Sequence, residues 1–132
     1  MFIVSFRNRN KEFWGIMGYY FSNKEIRKEL PFIIDEKEKV WVIGFKNVEE
    51  VVGFLSYKIL NGTATITNCF INKKYRKMGY FNKLILYTLN KLKNVNKIKM
   101  IILKKYEFFF RRLGFYESYK KGKYIGIVKE KW

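Results

Sequence analysis

Residues 63–93 read T-A-T-I-T-N-C-F-I-N-K-K-Y-R-K-M-G-Y-F-N-K-L-I-L-Y-T-L-N-K-L-K, an apolar strand, a basic loop and an amphipathic helix in immediate succession. Residues 63–71 are rich in β-branched and apolar types and carry no charge, glycine or proline, as a central strand covered on both faces requires. From Phe81 onward, Phe81, Leu84, Ile85, Leu89 and Leu92 recur at three- and four-residue spacing, the period of a helix with one buried face. The loop between them is Arg76-Lys77-Met78-Gly79-Tyr80-Phe81. A loop entering a helix aims unpaired backbone N–H groups outward, and the helix dipole adds partial positive charge there. The stretch is therefore built to hold a diphosphate, with Arg76 and Lys77 reinforcing the site.

The rest of the chain reads as elements arranged about this one. Phe2–Phe6 is a candidate edge strand, and residues 13–21 are aromatic and fit either helix or strand. Ser22-Asn23-Lys24-Glu25 matches a capping box, which predicts a short helix from Asn23 to Leu30 before Pro31. Asp35–Lys39 is a charged loop. Val40–Phe45 and Val51–Ile59 read as strands joined through Asn47–Glu50, and Asn61-Gly62 is a tight-turn signal that makes Val51–Ile59 and residues 63–71 a hairpin. Ile98–Leu103 is a short apolar strand after the helix, so a right-handed parallel crossover is expected between it and residues 63–71. Tyr106–Leu113 reads as a helix ended by Gly114, and Phe115–Tyr119 and Tyr124–Lys129 as a hairpin about Lys120–Lys123. This order predicts an α+β fold with a mixed sheet.

At 132 residues the chain is read as one domain, 1–132, with 48% hydrophobic and 20% aromatic residues to fill its core. No apolar run is long enough to span a membrane, and the first residues are too briefly apolar for a signal peptide. With Cys69 as its one cysteine and no histidine, the chain has no internal disulfide and lacks the usual zinc constellations, so neither a metal nor an oxidising compartment is expected; cytoplasm is the expected location. A net charge of +17 attracts polyanions by counterion release and steering. Of the 28 basic residues 22 are Lys, beside one Ala and one Pro, which is also the profile of an AT-rich genome. Functional and compositional origins of the charge stay open at this level.

Around the loop the sequence resembles the GNAT superfamily of acetyl-CoA-dependent N-acyltransferases, whose signature is Arg/Gln-x-x-Gly-x-Gly/Ala between a strand and a helix. Here it reads Arg76-x-x-Gly79-x-Phe81, so the third position departs from the pattern and a Phe ring must turn away from the bound diphosphate. Cys69-Phe70-Ile71 resembles the family's strand segment that pairs with the pantetheine arm, and F-F-R-R-L-G-F at 109–115 resembles its later Y-x-x-x-G-F element. The resemblance covers roughly residues 40–130. It implies a mostly antiparallel sheet flanked by helices, whose two central strands splay to admit the cofactor's arm. It also implies acetyl-CoA held by Cys69, Phe70, Ile71, Arg76, Lys77, Met78, Gly79, Tyr80 and Phe81. Cys69 itself reads as a small buried hydrophobe.

Two catalytic devices of that family are missing. The strand position that carries a Glu base in some members is Thr65, leaving Thr67 and Asn68 as polar neighbours, of which Asn68 is the candidate. The position of the usual Tyr acid is Phe110, and Tyr106, about 6 Å earlier along a helix at 1.5 Å per residue, is the candidate substitute. On the expected acceptor side Arg111, Arg112, Lys120, Lys121 and Lys123 alternate with Tyr116, Tyr119 and Tyr124, types that neutralise phosphates and stack on bases. Three readings stay open. One is an N-acyltransferase acting on nucleic acid, on a protein lysine or N-terminus, or on a polyamine. The others are a silent GNAT-like nucleic-acid-binding module and an inhibitory or adaptor protein.

Overall fold

Seven segments of the chain pair into one sheet, Val40–Asn47 apolar throughout its first six residues and Lys97–Leu103 alternating buried and exposed along its length. In a computed structural model that describes residues 1–130, the strands are β1 (Phe2–Phe6), β2 (Val40–Asn47), β3 (Glu50–Leu60), β4 (Thr63–Ile71), β5 (Lys97–Leu103), β6 (Tyr116–Lys121) and β7 (Tyr124–Glu130). They lie in the order β1-β2-β3-β4-β5-β7-β6, and only β4 and β5 are parallel. The helices are α1 (Lys11–Ser22), α2 (Lys24–Glu29), α3 (Tyr80–Lys91) and α4 (Glu107–Arg112). The expected α+β class, hairpins and parallel crossover through α3 are all present. No helix among the described residues is long and apolar enough to cross a membrane.

Residues 13–21 form most of α1. Asn10 caps that helix by accepting from the Phe13 N–H at 2.8 Å, and its buried stripe is Phe13, Met17 and Tyr20. The expected capping box does not form. The backbone is still helical at Ser22, whose hydroxyl donates back to the carbonyls of Gly18 and Tyr19, and Asn23 is the residue that caps α2 through the Ile26 N–H. Tyr106 closes a separate 3-10 turn, Lys104–Tyr106, rather than starting a helix, and α4 begins at Glu107. Its end is as expected. Gly114, at φ +96°, lets the Phe115 and Gly114 N–H groups close on the carbonyls of Phe110 and Arg111.

The sheet has a core on each face. Leu84 and Ile85 of α3, Leu92 just after it and Phe110 of α4 pack on Ala64, Ile66, Met100 and Ile127, whereas Phe13, Met17 and Tyr20 of α1 and Ile26 of α2 pack on Trp41, Ile43, Phe54 and Phe70. The loop before β2 is fastened to the second core by Asp35. Its carboxylate accepts from Arg9 Nε at 2.6 Å and from Trp41 Nε1 at 2.8 Å, while Arg9 Nη2 donates to the carbonyls of Glu36 and Lys39.

Burial works to raise the Asp35 pKa, but the hydrogen bonds from Arg9 and Trp41 and the Arg9 charge outweigh it and leave it below its ordinary 3.8. A depressed folded-state pKa contributes stability that is complete above the unfolded value and is lost as pH falls through the folded one. Asp35→Asn is therefore expected to lower unfolding stability by about 1–3 kcal/mol at neutral pH, the usual worth of hydrogen bonds to a charged group. Urea denaturation of the two proteins should converge in acid; a separation that persists there would assign the loss to packing.

Candidate active site

Strands β4 and β5 pair through three residue couples alone, Thr63 with Lys97, Ala64 with Ile98 and Thr65 with Lys99. Beyond them each strand keeps its other neighbour to the end, β4 pairing with β3 as far as Ile71 and β5 with β7 as far as Leu103. The sheet thus opens into a cleft toward the C-terminal ends of both strands. The edge of β4 that carries Cys69, Phe70 and Ile71 faces it without a strand partner.

At the open end stands the N-terminus of α3. Gly79 precedes it in the left-handed region at φ +84° and no side chain caps it. The first intrahelical bond runs from the Lys83 N–H to the Gly79 carbonyl, so the preceding N–H groups lack intrahelical acceptors. Lys77 also has positive φ, +63°, and the paired left-handed residues curl the loop as anion-binding backbone concavities do. Lys77, Met78 and Gly79 are exposed. Arg76 is turned inward: its Nε donates to the Ile71 carbonyl at 2.7 Å, its guanidinium lies over Phe70, and its Nη2 sits 2.6 Å from Glu29 Oε1 in an ion pair outside hydrogen-bonding direction. It fastens the loop to β4 and α2.

The Phe81 ring does turn away from the helix end, packing against Tyr106, Phe109 and Phe110 with centroids 6.3–6.5 Å apart. Phe110 is fully buried, and Tyr106 is 43% exposed beside it. Burial pushes the Cys69 thiol up to about 12, so this sulfur is a packing atom and not a nucleophile at neutral pH, although the residue keeps some exposed surface.

Between Ser56 and Phe54 of β3, β4 carries one extra residue, a bulge at Asn68 and Cys69 that puts Asn68 at φ +56°. The Asn68 amide oxygen accepts from Lys39 Nζ at 2.8 Å and from Ser56 Oγ at 3.2 Å, and its Nδ2 reaches the Phe32 carbonyl at 3.4 Å. Its oxygen is engaged, so Asn68 anchors the bulge rather than taking protons. Lys39 was hidden in sequence as the end of a charged loop. It is buried, donates also to the Ile34 carbonyl, and faces Glu36, with desolvation holding its pKa below the ordinary lysine value against the attraction of Glu36 and Asp35. Its one sequence signal was adjacency to the fully apolar start of β2.

The Lys104 N–H donates to the Lys123 carbonyl, which brings the β6–β7 hairpin end to the 3-10 turn after β5, at the mouth of the cleft. Lys120 and Lys121 are the last residues of β6 and only Gly122 and Lys123 form the turn, shorter than the expected Lys120–Lys123. Arg111 instead pairs with Glu107 along α4 and Arg112 lies over Phe108, so these two are not drawn into that group. A separate groove of about 350 Å³, between α1 and the turn joining β2 to β3, shares no residue with the cleft.

A family model described as Acetyltransferase (GNAT) family matches residues 5–119. The chain belongs to the GNAT family. The match begins well before the part of the chain whose motifs carry the resemblance. Among solved structures with this fold, Escherichia coli ElaA superposes with a TM-score of 0.76 at 13% identity, covering 98% of this chain and 100% of that one. The PaiA N-acetyltransferase of Thermoplasma acidophilum, solved in complex with coenzyme A, gives 0.62 at 13% identity over 99% and 100%. A Bacillus subtilis acetyltransferase in complex with CoA gives 0.64 at 14% over 98% of each chain. No curated protein sequence matches.

The bulge supplies a test of its own. Valine pays the full steric penalty of a left-handed conformation and glycine does not, so Asn68→Val is expected to be less stable than Asn68→Gly by about 1–2 kcal/mol. Equal thermal unfolding of the two variants would mean that the backbone at 68 is not held at positive φ.

Proposed function

We propose that this GNAT domain, taken as residues 1–132, transfers an acetyl group from acetyl-CoA to an amine. The observation that carries the reading is the cleft between β4 and β5 with the uncapped N-terminus of α3 at its open end. The N–H groups of the loop Lys77–Phe81 suit a diphosphate, and the β4 edge at Cys69, Phe70 and Ile71 suits an extended amide-bearing arm by strand addition. Bound acetyl-CoA supplies a thioester: the amine nitrogen forms the new C–N bond, the C–S bond breaks, the amine gives up a proton and the departing thiolate takes one.

This chain's own contribution is chiefly positioning, since Thr65 and the buried Phe110 occupy the positions where the resemblance implies a carboxylate base and a tyrosine acid. In this reading Tyr106, half-exposed and packed on Phe81 at the start of α3, is the hydroxyl that protonates the thiolate. The acceptor amine is assigned to a polyanion or to a substrate bound beside one, a reading supported by Lys120, Lys121 and Lys123 at the mouth. The burial of Phe110 also favours a second reading, a silent domain that binds CoA without turnover.

Titration calorimetry with acetyl-CoA should show one site per chain; no heat at millimolar ligand would sink the reading. Tyr106→Phe is expected to lower turnover about tenfold or more while acetyl-CoA affinity stays near wild type, the pattern of a lost proton donor. An unchanged rate would leave Tyr106 as packing, and CoA binding without any turnover across amine acceptors would select the silent domain.

A further inference from the structure

Charge is distributed very unevenly along the chain. Residues 51–132 hold 19 of the 28 basic residues and three of the 11 acids, so they carry +16 of the net +17 and residues 1–50 carry +1. Residues 51–132 span β4, β5, β6 and β7 together with α3, α4 and the connecting loops, and the four strands themselves carry Lys97, Lys99, Lys120, Lys121 and Lys129 against Glu117 and Glu130. The core against α1 and α2 draws on β1, β2, β3 and Phe70 of β4, and takes nothing from β5, β6 or β7. That face of the C-terminal half of the sheet is consequently open.

Strand register shows what lies on it. One row across the sheet is Lys58, Thr65, Lys99, Val128 and Tyr116, each opposite the next. The next rows place Ile101, Gly126 and Tyr119 together, and Leu103, Tyr124 and Lys121 together. Ile101 is 63% exposed and Tyr119 48%, and Tyr116 and Tyr124 are exposed as well. Gly126 explains the posture of Tyr119. A Cβ at 126 would overlap the Tyr119 ring, so the ring lies on the bare backbone with one face sealed and its outer face in solvent. Tyr124, two residues along β7 from Gly126, is the diagonal neighbour of Tyr119 and offers a second stacking site about 7–8 Å away.

We propose that this open sheet face is a binding platform for single-stranded nucleic acid. Unstacked bases lie on the rings of Tyr119 and Tyr124 and against Ile101, while Lys97, Lys99 and Lys121 neutralise the phosphates around them. Lys58 is held by Glu36 at 3.4 Å, and Glu130, opposite Lys97, is the one acid of these rows. A duplex hides the base faces that such a platform needs. An acidic peptide gains the charge but not the stacking, and a second copy of the chain would set these lysines against themselves. The face is opposite the one covered by α3, so a bound strand approaches the cleft from the side that the proposed co-substrate leaves free. That the strand also carries the acceptor amine rests on the acyltransferase reading; the binding itself does not.

The test is fluorescence anisotropy with end-labelled ten-nucleotide single strands of DNA and RNA, without acetyl-CoA, across a salt series. Tyr119→Leu combined with Tyr124→Leu keeps an apolar cover on Gly126 and is expected to weaken binding about tenfold or more at fixed salt, with the salt slope unchanged. Lys97→Gln combined with Lys99→Gln, a change of surface charge that leaves the core intact, should reduce the slope of log affinity against log salt by about 1.4. Wild-type affinity and slope in both variants would overturn the platform. So would equal or tighter binding of the duplex, equal competition by polyglutamate, or a dimer that the Leu variants dissociate. Acetyl-CoA heats retained alongside failed oligonucleotide binding would remove the platform alone, and the reverse pattern would remove the acyltransferase reading alone.

Discussion

Three parallel couples between β4 and β5 join the two halves of the sheet, and the loss of pairing after Thr65 and Lys99 decides what the rest of the molecule can do. Backbone groups on a strand edge need partners, and here each strand finds them on its outer side only. Two rigid half-sheets therefore diverge from a common seam. The bulge at Asn68 bends β4 just where the strands part, and Lys39, Ser56 and the Phe32 carbonyl hold that bend from the α2 side. A buried ammonium is costly unless its hydrogen bonds are satisfied, and satisfying them is what ties the loop before β2 to the wall of the cleft.

Period and turn chemistry made most of the fold legible. The apolar runs Val40–Phe45 and Val51–Ile59, the Asn61-Gly62 turn and the three- and four-residue spacing from Phe81 correspond to β2, β3, the hairpin of β3 with β4, and α3. The cleft was legible in a weaker sense. Its loop could be placed from Gly79 and the strand before it, but the splay of β4 and β5 came from the family resemblance, because nothing local marks where parallel pairing stops.

Other features were not legible, for identifiable reasons. The aromatic run 13–21 has residues on every face, so its period is blurred until Phe13, Met17 and Tyr20 meet Trp41 and Phe54. Ser22 and Asn23 are both good caps, and only the length of α1 selects Asn23. Lys39 read as the end of a charged loop because lysines are nearly always exposed, and its burial depends on the Ile34 carbonyl of its own loop and on the distant Asn68 amide oxygen in the β4 bulge. Tyr106 read as helical because a 3-10 turn and the start of a helix share the same short spacing.

The aromatic cluster at the start of α3 has a mechanical consequence. The Phe81 ring packs against Tyr106, Phe109 and Phe110, with Phe110 packed in turn on Phe115. One wall of the cleft ends in α3 and the other continues into α4, so the same rings brace both. Separating the walls means pulling apart a close-packed set of rings, a loss of dispersion contacts with no compensating hydration. The same rings thereby oppose any change in the spacing of the two walls, so that a ligand held between them would spend little of its binding energy on ordering those walls.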